Sequence, residues 1–464
     1  MRQLAIVLLI IIGGLSASAR TIYVSSSRGD DSNAGMTAAY PKRSIKIAIE
    51  KADTILLKAG DIFYESGLSI INKCFSRYGE GNNPMVTGFR IPGITSRWIS
   101  VGNSIWRMDL YDKSYTGVQN DLNDVYCNNV GCLYEFDKDL VHGRKVQFYD
   151  ELKKDWDFWQ TEKISKDTKP EDFRYVYLFL DKDPNTLNLQ FSTGTHAATV
   201  KNSVIDGVNF IGFGFGISAW SNTQIRNCKI DIIGGRTFIG YGEFCNYGNG
   251  IEFYVAHDIE NCIIEDCWIS RCYDCGATIQ GKNSGKAKPK NIVFKNNLLT
   301  NNCQGWEDFL RNDPNVFFEN CFFEDNIVLN SGVSGFGYSD GRIKFCHVLG
   351  NNIYGPRYMN IKNNIFIGGN FYCSGGYKGL YKSNVWSGNK CYIEYGDFLF
   401  HDYWDSKNAI RLSSKDGSKG KTDKIAEYRK RTGDMTTKFY IKSRHSIDKL
   451  VAKQKKKYFK NHNY

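Results

Sequence analysis

A right-handed parallel β-helix is the fold this sequence predicts, carrying an inserted small β domain and a basic, partly helical C-terminal tail. Three observations point there. From about residue 203 to 386 a six-residue motif recurs: apolar, two variable, Asn or Cys, one variable, apolar. Its apolar positions alternate and favour Ile, Val and Phe, the pattern of short strands rather than helices. With 45 Gly and only 8 Pro, the composition suits a turn-rich β chain.

The motif reads Ile225-Arg226-Asn227-Cys228-Lys229-Ile230 and returns at 264–269, 294–299, 323–328, 343–348, 361–366 and 381–386. Taking Cys228, Cys267, Asn297, Asn326, Cys346, Asn364 and Asn384 as anchors gives spacings of 39, 30, 29, 20, 18 and 20. Periods of that size belong to stacked supersecondary units, in which each coil packs only on its neighbours. The short spacings match a minimal coil and the long ones a coil with a loop pushed out. An Asn fixed at a turn can bond its own backbone and the Asn stacked about 4.8 Å away.

Residues 1–19 have the layout of a secretory signal peptide, with Arg2, an apolar run over 4–12 and Ala17-Ser18-Ala19. The run is too short to span a bilayer, so the mature chain is expected to start near Arg20 and to be secreted: periplasmic, cell-surface or extracellular. An N-terminal cap and the first coils follow over 20–93, with a helix at about 44–51. Over 94–195 the frame disappears; Trp98, Trp106, Trp156 and Trp159 and the strand-like Tyr175-Val176-Tyr177-Leu178-Phe179-Leu180 read as an inserted β-rich domain. The main β-helix occupies 196–400.

The tail, 401–464, holds the charge. From Asp405 onwards there are 18 Lys or Arg and 6 Asp or Glu, a net of +12 against +11 for the whole chain, so the rest carries −1. The body therefore gives no argument for nucleic acid, whereas the tail could meet an anionic surface. Ser446 is a candidate cap for a helix with Ile447, Leu450, Val451 and Tyr458 in one stripe, closing the solenoid.

Fourteen cysteines in an exported chain first suggest disulfides. Cys228, Cys262, Cys267, Cys321 and Cys346, however, stand at inward positions, where a free thiol behaves as a small apolar group. Cys127 and Cys132 are the pair left as a disulfide candidate. Cys272 and Cys275 have zinc-ligand spacing without a second pair.

These features resemble bacterial right-handed β-helix proteins of the pectin-lyase-like superfamily. Tyr23-Val24-Ser25 with Gly29-Asp30-Asp31-Ser32-Asn33 is similar to their opening strand and loop, and Ala52-Asp53-Thr54-Ile55-Leu56-Leu57-Lys58-Ala59-Gly60-Asp61 to their first coil. The resemblance implies a long groove along one sheet, suited to an extended polysaccharide, and a choice among lyases, hydrolases, epimerases and non-catalytic proteins.

The long loop over 234–249 adjoins the densest set of functional side chains. If Ile251 and Phe253 face the core, Glu252 and Tyr254 face outward; in the next coil Asp274, Thr278, Gln280 and Lys282 share that face. In a glycoside hydrolase, the favoured reading, Glu252 and Asp274 would be the paired carboxylates, needing no cofactor. In a polysaccharide lyase, Lys282 or Arg236 would abstract a proton, and calcium, common in β-helix lyases, would neutralise the substrate carboxylate; no cluster of Asp residues on successive strands supplies its ligands. Tyr254, His257, Arg271 and Gln280 would bind the sugar. The alternative is a non-catalytic cell-envelope or glycan-binding protein.

Overall fold

The computed structural model describes residues 20–91, 97–111, 116–117, 128–161, 168–240, 243–281, 288–310, 317–332, 335–338, 346–351, 358–369, 371–375, 384–402, 409–462 and 464. The signal-peptide reading, Lys282 and Cys127 fall outside these residues.

The chain winds into a β-helix with three walls, each a sheet of ten strands among the described residues. One coil runs Thr223–Arg226 on the first wall, Lys229–Ile233 on the second and Ile251–Tyr254 on the third. The next repeats this with Ile259–Glu265, Trp268–Cys272 and Cys275–Gly281, each parallel to its predecessor. Within the walls the antiparallel pair is Phe398–Asp402 with Ile410–Arg411 at the C-terminal end.

The motif explains how the coil turns. Asn227, Asp266, Asn296, Asp325 and Asn363 have φ between 53° and 57°, a left-handed conformation that Asn and Asp tolerate better than other side chains with a Cβ. The residue after each points inward. The first apolar residues, Ile225, Ile264, Phe294, Phe323, Ile361 and Trp386, stack in register up the first wall and are all buried. Burial of such rows, at roughly 25 cal/mol per Å² of apolar surface, drives the winding. Inward amides add a ladder: Asn297 Nδ2 donates to Asn326 Oδ1 (3.0 Å), Asn326 to Asn364 (3.2 Å) and Asn364 to Asn389 (3.1 Å).

That ladder corrects two anchors. The rung above Asn364 is filled by Asn389, not Asn384, and Cys346 belongs to the third wall in the strand Cys346–Asn351. Bonded ladder partners are 30, 29, 38 and 25 residues apart from Cys267 onwards, so the two short spacings of 20 and 18 are halves of one coil. A second ladder, Asn72–Asn202–Asn222–Asn261–Asn291–Asn320, runs up an exposed edge.

Twelve of the cysteines, Cys132, Cys272 and Cys275 among them, are free. Cys228, Cys262, Cys267, Cys321 and Cys346 are buried as expected. Cys132 is a buried thiol 3.3 Å from the Ser192 hydroxyl. Cys272 and Cys275 turn their sulfurs onto the carbonyls of Ser270 and Ala277.

Helix α1 (Ile45–Lys51) covers the first coil, its opening amides held by the Glu65 carboxylate. Strands from the segment before His196, joined by Gly337–Tyr338 beside Arg144–Lys145, build two further sheets with an apolar cluster that includes Trp98, Met108, Phe158, Val176 and Phe191. At the other end, α2 (Gly417–Thr432) buries Tyr428 in the main core. The strand Lys438–Ile441 then joins the second wall in parallel.

Helix α3 (Arg444–Phe459) departs from the expected cap. Ser443, not Ser446, is its N-cap, its hydroxyl accepting from the Ser446 amide. Instead of closing the solenoid end, α3 lies along the flank of the second wall. Ile447, Val451 and Tyr458 pack there on Leu298, Leu329 and Ile367. No helix among the described residues is long and apolar enough to cross a membrane.

Candidate functional site

The strand Ile251–Tyr254 alternates as its side chains require: Ile251 and Phe253 are fully buried in the core, and Tyr254 is 37% exposed. Glu252 also points away from the core, but it is buried, at 6% exposure. What covers it comes from the turn just before it. Tyr247 donates its hydroxyl to Glu252 Oε2 and Asn249 Nδ2 donates to the same oxygen at 3.0 Å. Both donors are thus spent on one oxygen; no described residue engages Oε1.

Register extends the row. Ser218, Glu252, Thr278 and Glu307 occupy successive rungs of the third wall, and the Thr278 hydroxyl donates to Glu307 Oε2 at 3.2 Å. Two buried carboxylates therefore lie two rungs apart, about 9.6 Å between Cα atoms. Glu307 was missed in the sequence, although Trp306, buried beside it, sets the same parity that exposed Glu252. Asp274 approaches from the corner between the second and third walls. Its amide donates to the Gly248 carbonyl, and Gln304 Nε2 donates to its Oδ1 at 3.0 Å.

Electrostatics tie these groups together. Burial raises the Tyr247 hydroxyl well above its usual pKa, and the negative charges of Glu252 and Asp274 push it further; Arg236 acts in the opposite sense. Tyr247 therefore stays a donor at any physiological pH. Arg236 is 1% exposed, its guanidinium 3.6 Å from the centre of the Phe215 ring, a cation–π contact in a desolvated place. Phe215 in turn meets Tyr247 edge-on at 4.7 Å. His196, bonded to the Ser218 hydroxyl at 3.2 Å, is driven down to about 4 by burial and is neutral at pH 7.

A second cation was not foreseen. Lys145 is buried and bonds Asn129 Oδ1, the Val130 carbonyl and Gln160 Oε1. Burial, and then Arg236, push its pKa well below the ordinary lysine value. Its signal is absent from any motif, because all of its partners come from the irregular segment between coils.

The structure gathers Glu252, Asp274 and Arg236 around Tyr247. Thr278 joins them on the rung beside Glu252, Lys282 lies outside the described residues, and the expected sugar-binding residues stand elsewhere. Tyr254 and Gln280 face each other across adjacent strands one row further along. His257 lies at the far end of the strand, stacked 6.1 Å from Trp220. Arg271 stands on the second wall, where its guanidinium pairs with Asp231, buried there, and with Asp139. A cavity of 740 Å³ opens in the first coil, lined by Ser27, Arg43, Asp61 and Tyr64 among others, and includes none of these residues. Among the described residues no group of three or more His, Cys, Asp or Glu side chains converges as metal ligands would.

No protein-family model and no curated protein matches the chain. Solved structures to which it is similar include a complex of XylC with xylose, at 12% identity, covering 91% of this chain and 82% of that one with a TM-score of 0.39. They also include a GH136 lacto-N-biosidase from Eubacterium ramulus, at 10% identity, covering 91% and 67%, with TM-scores of 0.25 for the native protein and 0.23 for its selenomethionine derivative. Likeness at that level carries no argument about the reaction.

Proposed function

We propose that this chain is an exported carbohydrate-active enzyme, of the pectin-lyase-like β-helix kind, that hydrolyses glycosidic bonds in a polysaccharide. The observation behind this reading is Glu252: a buried carboxylate on an outward row, fixed through one oxygen by Tyr247 and Asn249, with Asp274 beside the same tyrosine. Glycoside hydrolysis needs two carboxyl groups with different tasks. Glu252 and Asp274 divide these tasks, one donating a proton to the leaving oxygen and the other acting as base or nucleophile. Glu307, two rungs from Glu252, adds a third carboxyl group to the neighbourhood.

Of the two bases an elimination was expected to use, Lys282 lies outside the described residues, and Arg236 is a poor base, which favours hydrolysis. A guanidinium keeps its proton in proteins, and this one sits over the Phe215 ring away from solvent. Its part is to balance the acidic cluster.

The test is reducing-end release from a panel of polysaccharides by the intact chain and by Glu252→Gln, Asp274→Asn and Glu307→Gln. Loss of general acid or base catalysis should cost about 10²–10⁴-fold in rate for the first two, and less for the third. Products with unsaturated, ultraviolet-absorbing ends would select a lyase instead. Glycan binding without cleavage by any form would end the enzyme reading.

A further inference from the structure

We propose that the outward face of α3 is a docking rail for a linear acidic polysaccharide, a partner distinct from whatever is cut at Glu252; its choice over other polyanions rests on the carbohydrate reading above. Lys449, Lys453, Lys456 and Lys460 recur at i, i+4, i+7 and i+11. On a helix that spacing makes one straight stripe about 16 Å long. Three of the four stand two residues after a buried one, Ile447, Val451 and Tyr458, which places them about 160° around the helix from the packed face. All four are exposed, with Lys457 beside them.

Nothing among the described residues answers this charge. None of the four lysines forms an ion pair with a described residue, and Asp448, the one acid on the helix, is taken by Arg444 at 3.2 Å. Lys455, by contrast, turns toward the body, where burial and the neighbouring Arg271 lower its pKa. The stripe is also held in place. Tyr458 donates to the Cys267 carbonyl at 3.0 Å, Tyr464 to the Asp266 carbonyl at 2.7 Å, and Phe459 packs on Trp268 at 4.8 Å.

The chemistry of the face selects among anionic partners. A membrane-surface helix buries an apolar face in lipid, and here that face is already used against the second wall. Single-stranded nucleic acid is gripped by exposed aromatics that stack on bases, and the exposed side of α3 carries none. A row one lysine wide fits a chain with regularly spaced carboxylates.

The experiment is affinity electrophoresis of the full chain through gels containing alginate or neutral dextran, with duplex DNA and phosphatidylglycerol vesicles as competitors. Alginate alone should retard the protein, and retardation should fade as salt passes about 0.15 M, where the screening length is about 8 Å. The K449Q/K453Q/K456Q/K460Q variant should bind at least about tenfold more weakly. The matching four-arginine variant should bind as the parent does, and Glu252→Gln should leave binding unchanged whether or not cleavage is lost. No retardation by alginate, equal retardation of the glutamine variant with an unchanged circular dichroism spectrum, or preferential capture by DNA or vesicles would overturn the proposal.

Discussion

Asn326 is held from both sides of its coil. Its side chain donates to the Phe294 carbonyl and to Asn364 Oδ1, and its own Oδ1 receives the amide and side chain of Asn297. Replacing it by Ala leaves the Asn297 amide and the Phe294 carbonyl buried without those partners, at about 1–3 kcal/mol for each stranded group. Asn326→Ala should therefore lower the urea midpoint by an amount equivalent to about 3 kcal/mol; a change below about 0.5 kcal/mol would show that the ladder is ornamental. His347 makes the complementary case in pH. It is fully buried, its Nδ1 is 2.9 Å from the Ser331 hydroxyl, and burial takes its pKa from 6.5 to about 3. The unfolded chain takes up a proton below 6.5 that the folded chain refuses down to about 3. Stability from this group is thus complete above pH 6.5 and is lost as pH falls, at up to about 1.4 kcal/mol per pH unit. Urea titrations of the parent and His347→Gln between pH 7 and 4.5 should show the difference in stability shrinking toward low pH; a constant difference would refute the assignment.

At the scale of the coil, the sequence carried the winding but not every frame. The pair Asn/Asp then Asn/Cys was legible wherever a left-handed Asn or Asp precedes the inward residue, as at Asn296-Asn297 and Asp325-Asn326. In the last coil the left-handed position is Gly388, with φ 68°, ahead of Asn389. The pair is hidden there, and Tyr381 to Trp386 imitates the motif while Trp386 actually fills the first apolar position. The candidate site shows the same division. Glu252 was readable from strand parity alone, because Ile251 and Phe253 leave no choice of face. Its partners Tyr247 and Asn249 precede the strand in an irregular turn where no period applies, and Lys145 reaches the Arg236 region from a segment about a hundred residues upstream. Arg271 was near in sequence but was carried to another wall, since one coil corner separates Trp268–Cys272 from Cys275–Gly281.

For the whole molecule, the length of α3 matters as much as its charge. Sixteen residues span about 24 Å, and the rungs of the second wall from Trp268 through Leu298, Ile327, Ile365 and Lys390 to Lys438 are five steps of about 4.8 Å. The helix leaves the last rung and its end reaches the Cys267 and Asp266 carbonyls, so it ties together coils that would otherwise touch only their neighbours. A solenoid without such a tie has stability close to a sum over units and interfaces, and its ends open first. The buried thiols report this, since burial raises the pKa of Cys267 and of Cys391 alike and neither should react until its coil opens. In moderate urea, alkylation followed by mass spectrometry should label Cys267 and Cys391 at matching rates in the full chain. Removing residues 443–464 should make Cys391 react well before Cys267, while strand Lys438–Ile441 still covers the last coil. Equal rates in the shortened chain would mean that the core alone makes the C-terminal coils cooperative and that α3 only decorates their flank.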